Sequence, residues 1–201
     1  MNDSAVGLKA YRTLDLVTIA TLGVAFGVIY WGWDKIYEPI SAVLTLAHPT
    51  TVGLVGGVWL IAGVVGGLVV RKPGAALATE LVAASMELIL PGGNQWGVSA
   101  LNSGLWQGLG AELVFAVFIY RRFGMAVAAL AGIGAATLES IYEWGAYWAD
   151  WDLPYKLAYL GFFAISGVVI AGIGGTFLVR ALARAGVLDS FGAGREVVAE
   201  V

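Results

Sequence analysis

Acidic side chains stand inside apolar stretches of this sequence, where an ionisable group costs at least ~2.5–3.5 kcal/mol on insertion scales and needs a partner or a cavity. Glu80 and Glu87 are seven residues apart, two helical turns, which puts them on one helix face about 10 Å apart along the axis. Gln107 and Glu112 follow in the next apolar run, and Glu139 and Glu143 are one turn apart on one face, with Tyr142 and Trp144 adjacent. The interiors of these runs hold no Lys or Arg, so the chain supplies no cationic partner within them. Three uses remain open. A carboxyl can hydrogen-bond a neighbouring helix, the reading preferred for Glu112; a ladder of acids can relay protons; or the acids can receive an organic ligand with positive charge or amino groups. The best-grouped acids collect toward one end of their runs, which favours a dead-end pocket over a ladder. There Glu87, Glu139 and Glu143, framed by Trp96, Trp144 and Tyr142, would accept N–H groups or balance charge while aromatic faces stack on a flat ring.

The elements that carry these residues follow from composition. Of 201 residues, 59% are hydrophobic and only 12% charged, and the mean hydropathy is +0.83. A soluble domain is about a quarter charged, so the exterior must face lipid. The expected fold is an all-α integral membrane protein, a six-transmembrane-helix bundle. Its spans lie near 14–33, 50–70, 74–90, 103–120, 124–144 and 157–179, each close to the ~20 residues that cross ~30 Å of hydrocarbon. The chain reads as one membrane domain over 1–201, with 185–201 as a polar cytoplasmic tail. The first run has no small-residue cleavage site after it and reads as a permanent span. Only Arg71, Lys72 and Pro73 separate the second and third spans, and only Arg121, Arg122 and Phe123 the fourth and fifth, so both pairs are antiparallel hairpins.

Charge sets the orientation. Lys9, Arg12, Arg71, Lys72, Arg121, Arg122, Arg180, Arg184 and Arg195 fall on one side and only Lys35 and Lys156 on the other, so both termini are expected in the cytoplasm. The opposite side carries the longer connections, near 34–49, 91–102 and 145–156, and Trp31, Trp33, Trp96, Trp106, Trp144, Trp148 and Trp151, while Trp59 lies deeper. An aromatic belt accounts for interfacial Trp, but a belt forms on both faces, and this one-sidedness leaves room for an aromatic cage open to the outside. Pro91-Gly92-Gly93-Asn94-Gln95-Trp96-Gly97 reads as a lid, or as a re-entrant turn anchored by Trp96; the 34–49 connection is the other candidate cover. Gly23 and Gly27, Gly53 and Gly57, Gly63 and Gly67, and Gly167, Ala171 and Gly175 repeat at spacing four and read as packing seams.

Several functions are disfavoured. No cysteine is present, so thiol chemistry and disulfides are out. No basic stripe points to nucleic acid. No metal-ligand spacing, catalytic nucleophile set, phosphate-binding G-x-x-x-x-G-K-[ST] run or cofactor signature occurs, and His48 beside Pro49 reads as a loop residue. A small intramembrane enzyme using paired glutamates and a passive channel remain as alternatives.

Over about residues 50–122 the sequence resembles the YkoE family, substrate-capture (S) subunits of energy-coupling-factor (ECF) transporters. The resemblance rests on Arg71-Lys72-Pro73-Gly74-Ala75-Ala76-Leu77 with Glu80, Gln95-Trp96-Gly97, and Gln107-Gly108-Leu109-Gly110-Ala111-Glu112-Leu113. It implies a six-helix subunit of the bacterial cytoplasmic membrane that binds thiamine or its hydroxymethylpyrimidine precursor from outside. Another flat vitamin such as riboflavin stays open. It also implies a transmembrane coupling protein and a pair of cytoplasmic ATPases as partners, and it carries Glu80, Gln95, Trp96, Gln107 and Glu112 as motif residues. S subunits use small residues of the first span against the coupling protein, and here Ala20, Gly23 and Gly27 offer such a surface.

Overall fold

The structure is a computed structural model that describes residues 10–199; Lys9, counted above for orientation, and residues 200–201 lie outside that range. Among the described residues every regular element is helical. Helix α1 spans Thr13–Thr45. A 3-10 turn at Pro49–Val52, the short α2 at Gly53–Gly56, a second 3-10 turn at Gly57–Leu60 and α3 at Ile61–Val70 follow end to end. Next come α4 (Ala75–Ile89), α5 (Ser99–Val117) and α6 (Met125–Ala146). Helix α7 (Leu153–Ser166) runs through a π-helical segment, Gly167–Gly174, into α8 (Gly175–Arg184), and α9 covers Gly192–Ala199.

Four helical stretches, Thr13–Thr45, Pro49–Val70, Met125–Ala146 and Leu153–Arg184, are long and apolar enough to cross a membrane. The other two long helices differ for physical reasons. Helix α4, with 15 residues, is only about 22 Å long, and α5 carries Asn102, Ser103, Gln107 and Glu112, which lower its hydropathy. Helix α4 packs on α1, α3 and α5, so neighbouring helices flank its polar positions. Helix α1 continues well past residue 33: most of 34–49, read from the sequence as a connection, is helix, with Pro39 inside it.

Small residues set the helix spacing. A Cβ on Gly110 would stand 2.3 Å from the Gly134 oxygen, and one on Gly132 would stand 2.2 Å from the Gly167 oxygen, so α5, α6 and the π segment touch backbone to backbone. Gly23 and Gly27 are buried in the same way. Their Cβ positions would meet Val82 at 2.5 Å and Met86 at 2.4 Å, so both glycines are committed to the α1–α4 seam inside this chain rather than to a partner surface. Ala20, by contrast, faces outward.

Both ends of the described chain lie at the same end of the bundle. The Tyr11 hydroxyl donates to the Pro73 carbonyl at 2.8 Å, and Arg12 lies over the ring of Phe191. Buried Asp15 pairs with Arg12 at 2.7 Å and with Lys72. Burial, with the negative charges of Glu112 and Asp15 nearby, pushes the Tyr11 phenol up to about 12. Residues 185–199 are more than a polar tail. Leu188, Phe191 and Ala193 are buried, and Arg71 grips Glu196 through two bonds of 2.5 and 2.7 Å, which holds the Glu196 carboxyl below its ordinary value.

Candidate functional site

The break in the second membrane stretch builds the floor of the site. Because the backbone tightens to a 3-10 turn at Gly57–Leu60, α3 starts afresh at Ile61, and the N–H groups of its first turn have no partner within the helix. Tyr30 and Glu80 satisfy two of them: Ala62 N–H donates to the Tyr30 hydroxyl at 2.9 Å and Gly63 N–H to Glu80 Oε2 at 2.6 Å. Tyr30 in turn donates to the same Glu80 oxygen at 3.3 Å. One carboxylate oxygen is thereby anchored to a helix N-terminus deep in the bundle. The other, Oε1, is buried without a hydrogen-bond partner among the described residues, although Glu80 is only 1% exposed.

Above that floor lies a cavity of about 560 Å3, within the range of small-molecule sites. Glu87 and Glu80 reach it from α4, Gln107 and Ser103 from α5, Glu139 and Glu143 from α6. Glu139 stands beside Ser103 and Gln107, and its Oε2 also lacks a partner among the described residues. Glu143 accepts the Tyr159 hydroxyl at 2.5 Å. Among the described residues no Lys or Arg lines the cavity.

Aromatic rings form two walls. On one side Trp59 and Trp96 meet edge to face at 5.1 Å, and Tyr37 packs 4.9 Å from Trp59 and 5.6 Å from Trp96. On the other, Trp148 and Trp151 stack at 4.2 Å, with Tyr159 at 6.0 Å from each and Phe163 5.7 Å beyond Tyr159. Exposed Gln95, Ala42, Thr45 and Pro49 make the rim, so the depth runs from an open mouth to a sealed base.

The segment from 90 to 98 delivers Trp96 to its wall. Gly92, Gly93 and Gly97 have φ values of 80°, 52° and 60°, which admit the tight turns, and Asn94 accepts the Trp96 N–H at 2.8 Å. Helix α1 holds this segment down: Trp31 donates to the Pro91 carbonyl at 3.0 Å and Lys35 to the Gly93 carbonyl at 2.9 Å. Just past α6, the Tyr147 hydroxyl meets that of Ser99 at 2.7 Å, and burial pushes its phenol up to about 12.

Of the residues singled out from the sequence, Glu80, Glu87, Gln95, Trp96, Gln107, Glu139 and Glu143 line this cavity. Glu112, Tyr142 and Trp144 do not. Glu112 caps the start of α4, accepting the N–H groups of Gly74, Ala76 and Leu77 at 2.6, 2.9 and 3.3 Å and the Tyr120 hydroxyl at 2.6 Å. Tyr142 packs edge-on to Tyr147 at 6.1 Å, and Trp144 is half-buried away from the cavity. The site residues read from the sequence left out Tyr30, Trp59, Tyr159 and Phe163, and Tyr37 entered only with the 34–49 connection as a possible cover. Helical spacing held a signal, since Tyr30, Asp34 and Tyr37 fall on one face of α1 and Tyr159 and Phe163 on one face of α7. Among the described residues no group of three or more His, Asp or Glu side chains is placed to hold a metal ion.

Three comparisons bear on this architecture. A family model described as the permease component of an ABC-type cobalt transport system matches residues 14–138. A Bacillus subtilis (strain 168) protein, provisionally named HMP/thiamine permease protein YkoE, is 31% identical over 191 residues, covering 94% of each chain. A crystal structure described as an S-component of an ECF transporter superposes with a TM-score of 0.85 at 30% identity, covering 95% of each chain.

Proposed function

This chain belongs to the family of S components of ECF transporters, multi-pass membrane proteins rather than enzymes, and on that premise we propose that its cavity captures thiamine or the hydroxymethylpyrimidine precursor from outside the cell. The observation that carries the reading is the floor: Glu80 is anchored through one oxygen and presents the other, unpaired among the described residues, beneath two aromatic walls in a cavity that four of their glutamates and none of their Lys or Arg side chains line. An aminopyrimidine offers N–H donors to such oxygens. A thiazolium ring adds a positive charge that carboxylates balance and indole faces attract. Glu80, Glu139 and Gln107 are assigned to the deep, donor-rich ring, Glu87 and Glu143 to charge balance, and Trp96 with Gln95 to the cover.

The cobalt in the matched family's description suggests a metal cargo as a second reading. The aromatic walls and the scattered carboxylates favour a flat organic ligand over an ion, which needs several donors converging on one point. In the proposed topology α4 and α5 complete six spans. The end bearing Arg71, Lys72, Arg121 and Arg122 faces the cytoplasm with both termini, in the bacterial cytoplasmic membrane. A transmembrane coupling protein and a cytoplasmic ATPase pair would drive release. Outward-facing Ala20 remains available to the coupling protein.

Isothermal titration of the purified protein with thiamine, hydroxymethylpyrimidine, riboflavin and Co2+ tests the assignment. Heat with thiamine or the pyrimidine at micromolar ligand is the expected result. Heat with riboflavin or Co2+ alone, or with none of the four, removes it.

A further inference from the structure

Asp34 stands behind the cavity rather than in it. It lies on α1, is 7% exposed and is absent from the cavity lining, yet its Oδ1 accepts the Trp59 indole N–H at 3.2 Å. That N–H is the one polar handle on the ring around which Tyr37, Trp96 and Trp33, at 6.3 Å, are arranged. Edge-to-face contacts fix a ring's tilt weakly, because each is worth only about 0.5–1.5 kcal/mol and several tilts satisfy it. A directional hydrogen bond from a buried acceptor selects one. The other Asp34 oxygen, Oδ2, has no hydrogen-bond donor among the described residues, and the Asp34 carboxyl lies near that of Glu87. A buried carboxyl in a membrane helix is costly, and a purely packing role would be met better by an apolar side chain.

We propose that Asp34 is a positioning residue: from behind the aromatic wall it sets the ring of Trp59 through the indole hydrogen bond and, lying beside Glu87, ties that wall to the acid lining, without touching the ligand. A ligand N–H drawn to Glu87 then bears on Asp34 and on the tilt of Trp59, so ring stacking and charge balance act together. The affinity consequence rests on the ligand reading above; the geometric consequence does not.

Protein labelled with 5-fluorotryptophan separates the two. The Trp59 19F resonance is identified by its loss in Trp59→Phe. Asp34→Ala is expected to shift that resonance, and Asp34→Asn, which keeps an oxygen acceptor for the indole and gains a donor toward Glu87, to leave it in place. In thiamine titrations Asp34→Ala should weaken binding about tenfold, the loss of one buried hydrogen bond. By the same reasoning Asp34→Asn should stay within about threefold, and Asp34→Ala in the Trp59→Phe background should add less than about twofold. An unshifted resonance in Asp34→Ala, or an equal loss of affinity in both backgrounds, overturns the proposal. If Asp34→Ala does not fold, Glu87→Gln supplies the decision: its Trp59 resonance moves if Asp34 links the two residues, and an unmoved one overturns the link. Wild-type protein that binds neither thiamine nor hydroxymethylpyrimidine sinks the substrate reading, while the 19F arm still decides the positioning.

Discussion

Replacing Glu112 with Ala separates what a family motif does for folding from what it does for binding. The carboxylate receives three backbone N–H groups from the start of α4 and the Tyr120 hydroxyl, and α4 has no capping side chain of its own because its N-cap is Gly74. Losing a cap costs about 0.5–2 kcal/mol, and losing a hydrogen bond to a buried charge about 1.5–3 kcal/mol. These overlap on the same atoms, so about 2–4 kcal/mol is expected for Glu112→Ala. At roughly 2–4 °C per kcal/mol for a chain of this size, the apparent Tm should fall by about 4–16 °C. Glu112→Gln, which keeps one acceptor oxygen, should fall by about half as much. Thermal unfolding in detergent reads the first quantity, and thiamine titration of the folded protein reads the second. Since Glu112 is absent from the cavity lining, affinity should stay within about twofold in both variants. A normal Tm with a tenfold loss of affinity would refute the capping argument and return Glu112 to the ligand.

Glu80→Gln should weaken thiamine by about 10–150-fold, the equivalent of one charge-assisted contact of about 1.5–3 kcal/mol, as read by titration calorimetry; unchanged affinity would put the ligand elsewhere. Gly27→Leu should destabilise the isolated chain, because its first side-chain atom already overlaps Met86, and a thermal scan without any partner present checks this. The Arg71–Glu196 pair makes the docking of α9 depend on pH. The Glu196 carboxyl is held below 4.5 when docked, so its contribution is fully present above that pH and is lost as pH falls through the lower, docked value. Limited proteolysis near residue 190 should therefore speed up on acidification, and Glu196→Gln should flatten that dependence.

Periodicity and charge carry different parts of this structure. The apolar runs and the spacing-four glycines already demand helices in close contact, and Gly53 and Gly57 do press on α7, at the Phe163 and Ser166 backbones. They do not say which neighbour a seam serves. Gly23 and Gly27 look the same in sequence whether they face α4 or a separate protein, and only the fold assigns them inward. The end of α1 was hidden by Asp34, Lys35, Glu38 and Pro39, which read as a connection. In the structure Asp34 is paired with the Trp59 indole and Lys35 with the Gly93 carbonyl, so the helix continues past them. The buried part of the C-terminal segment was obscured in the same way, because Leu188 and Phe191 are isolated apolar residues in a polar stretch.

From sequence alone came the membrane setting, the helical class and the set of acids that lipid will not accept unpaired, because hydropathy and charge are properties of residue type and local spacing. Which carboxylate faces a hollow and which caps a helix was settled by three dimensions. Glu80 and Glu112 stand in similar apolar runs, but one is met by a broken helix and an open cavity, the other by the first turn of α4. The aromatic walls are equally tertiary, since Trp59, Trp96, Trp148 and Tyr159 come from four separate segments that only packing brings around one space.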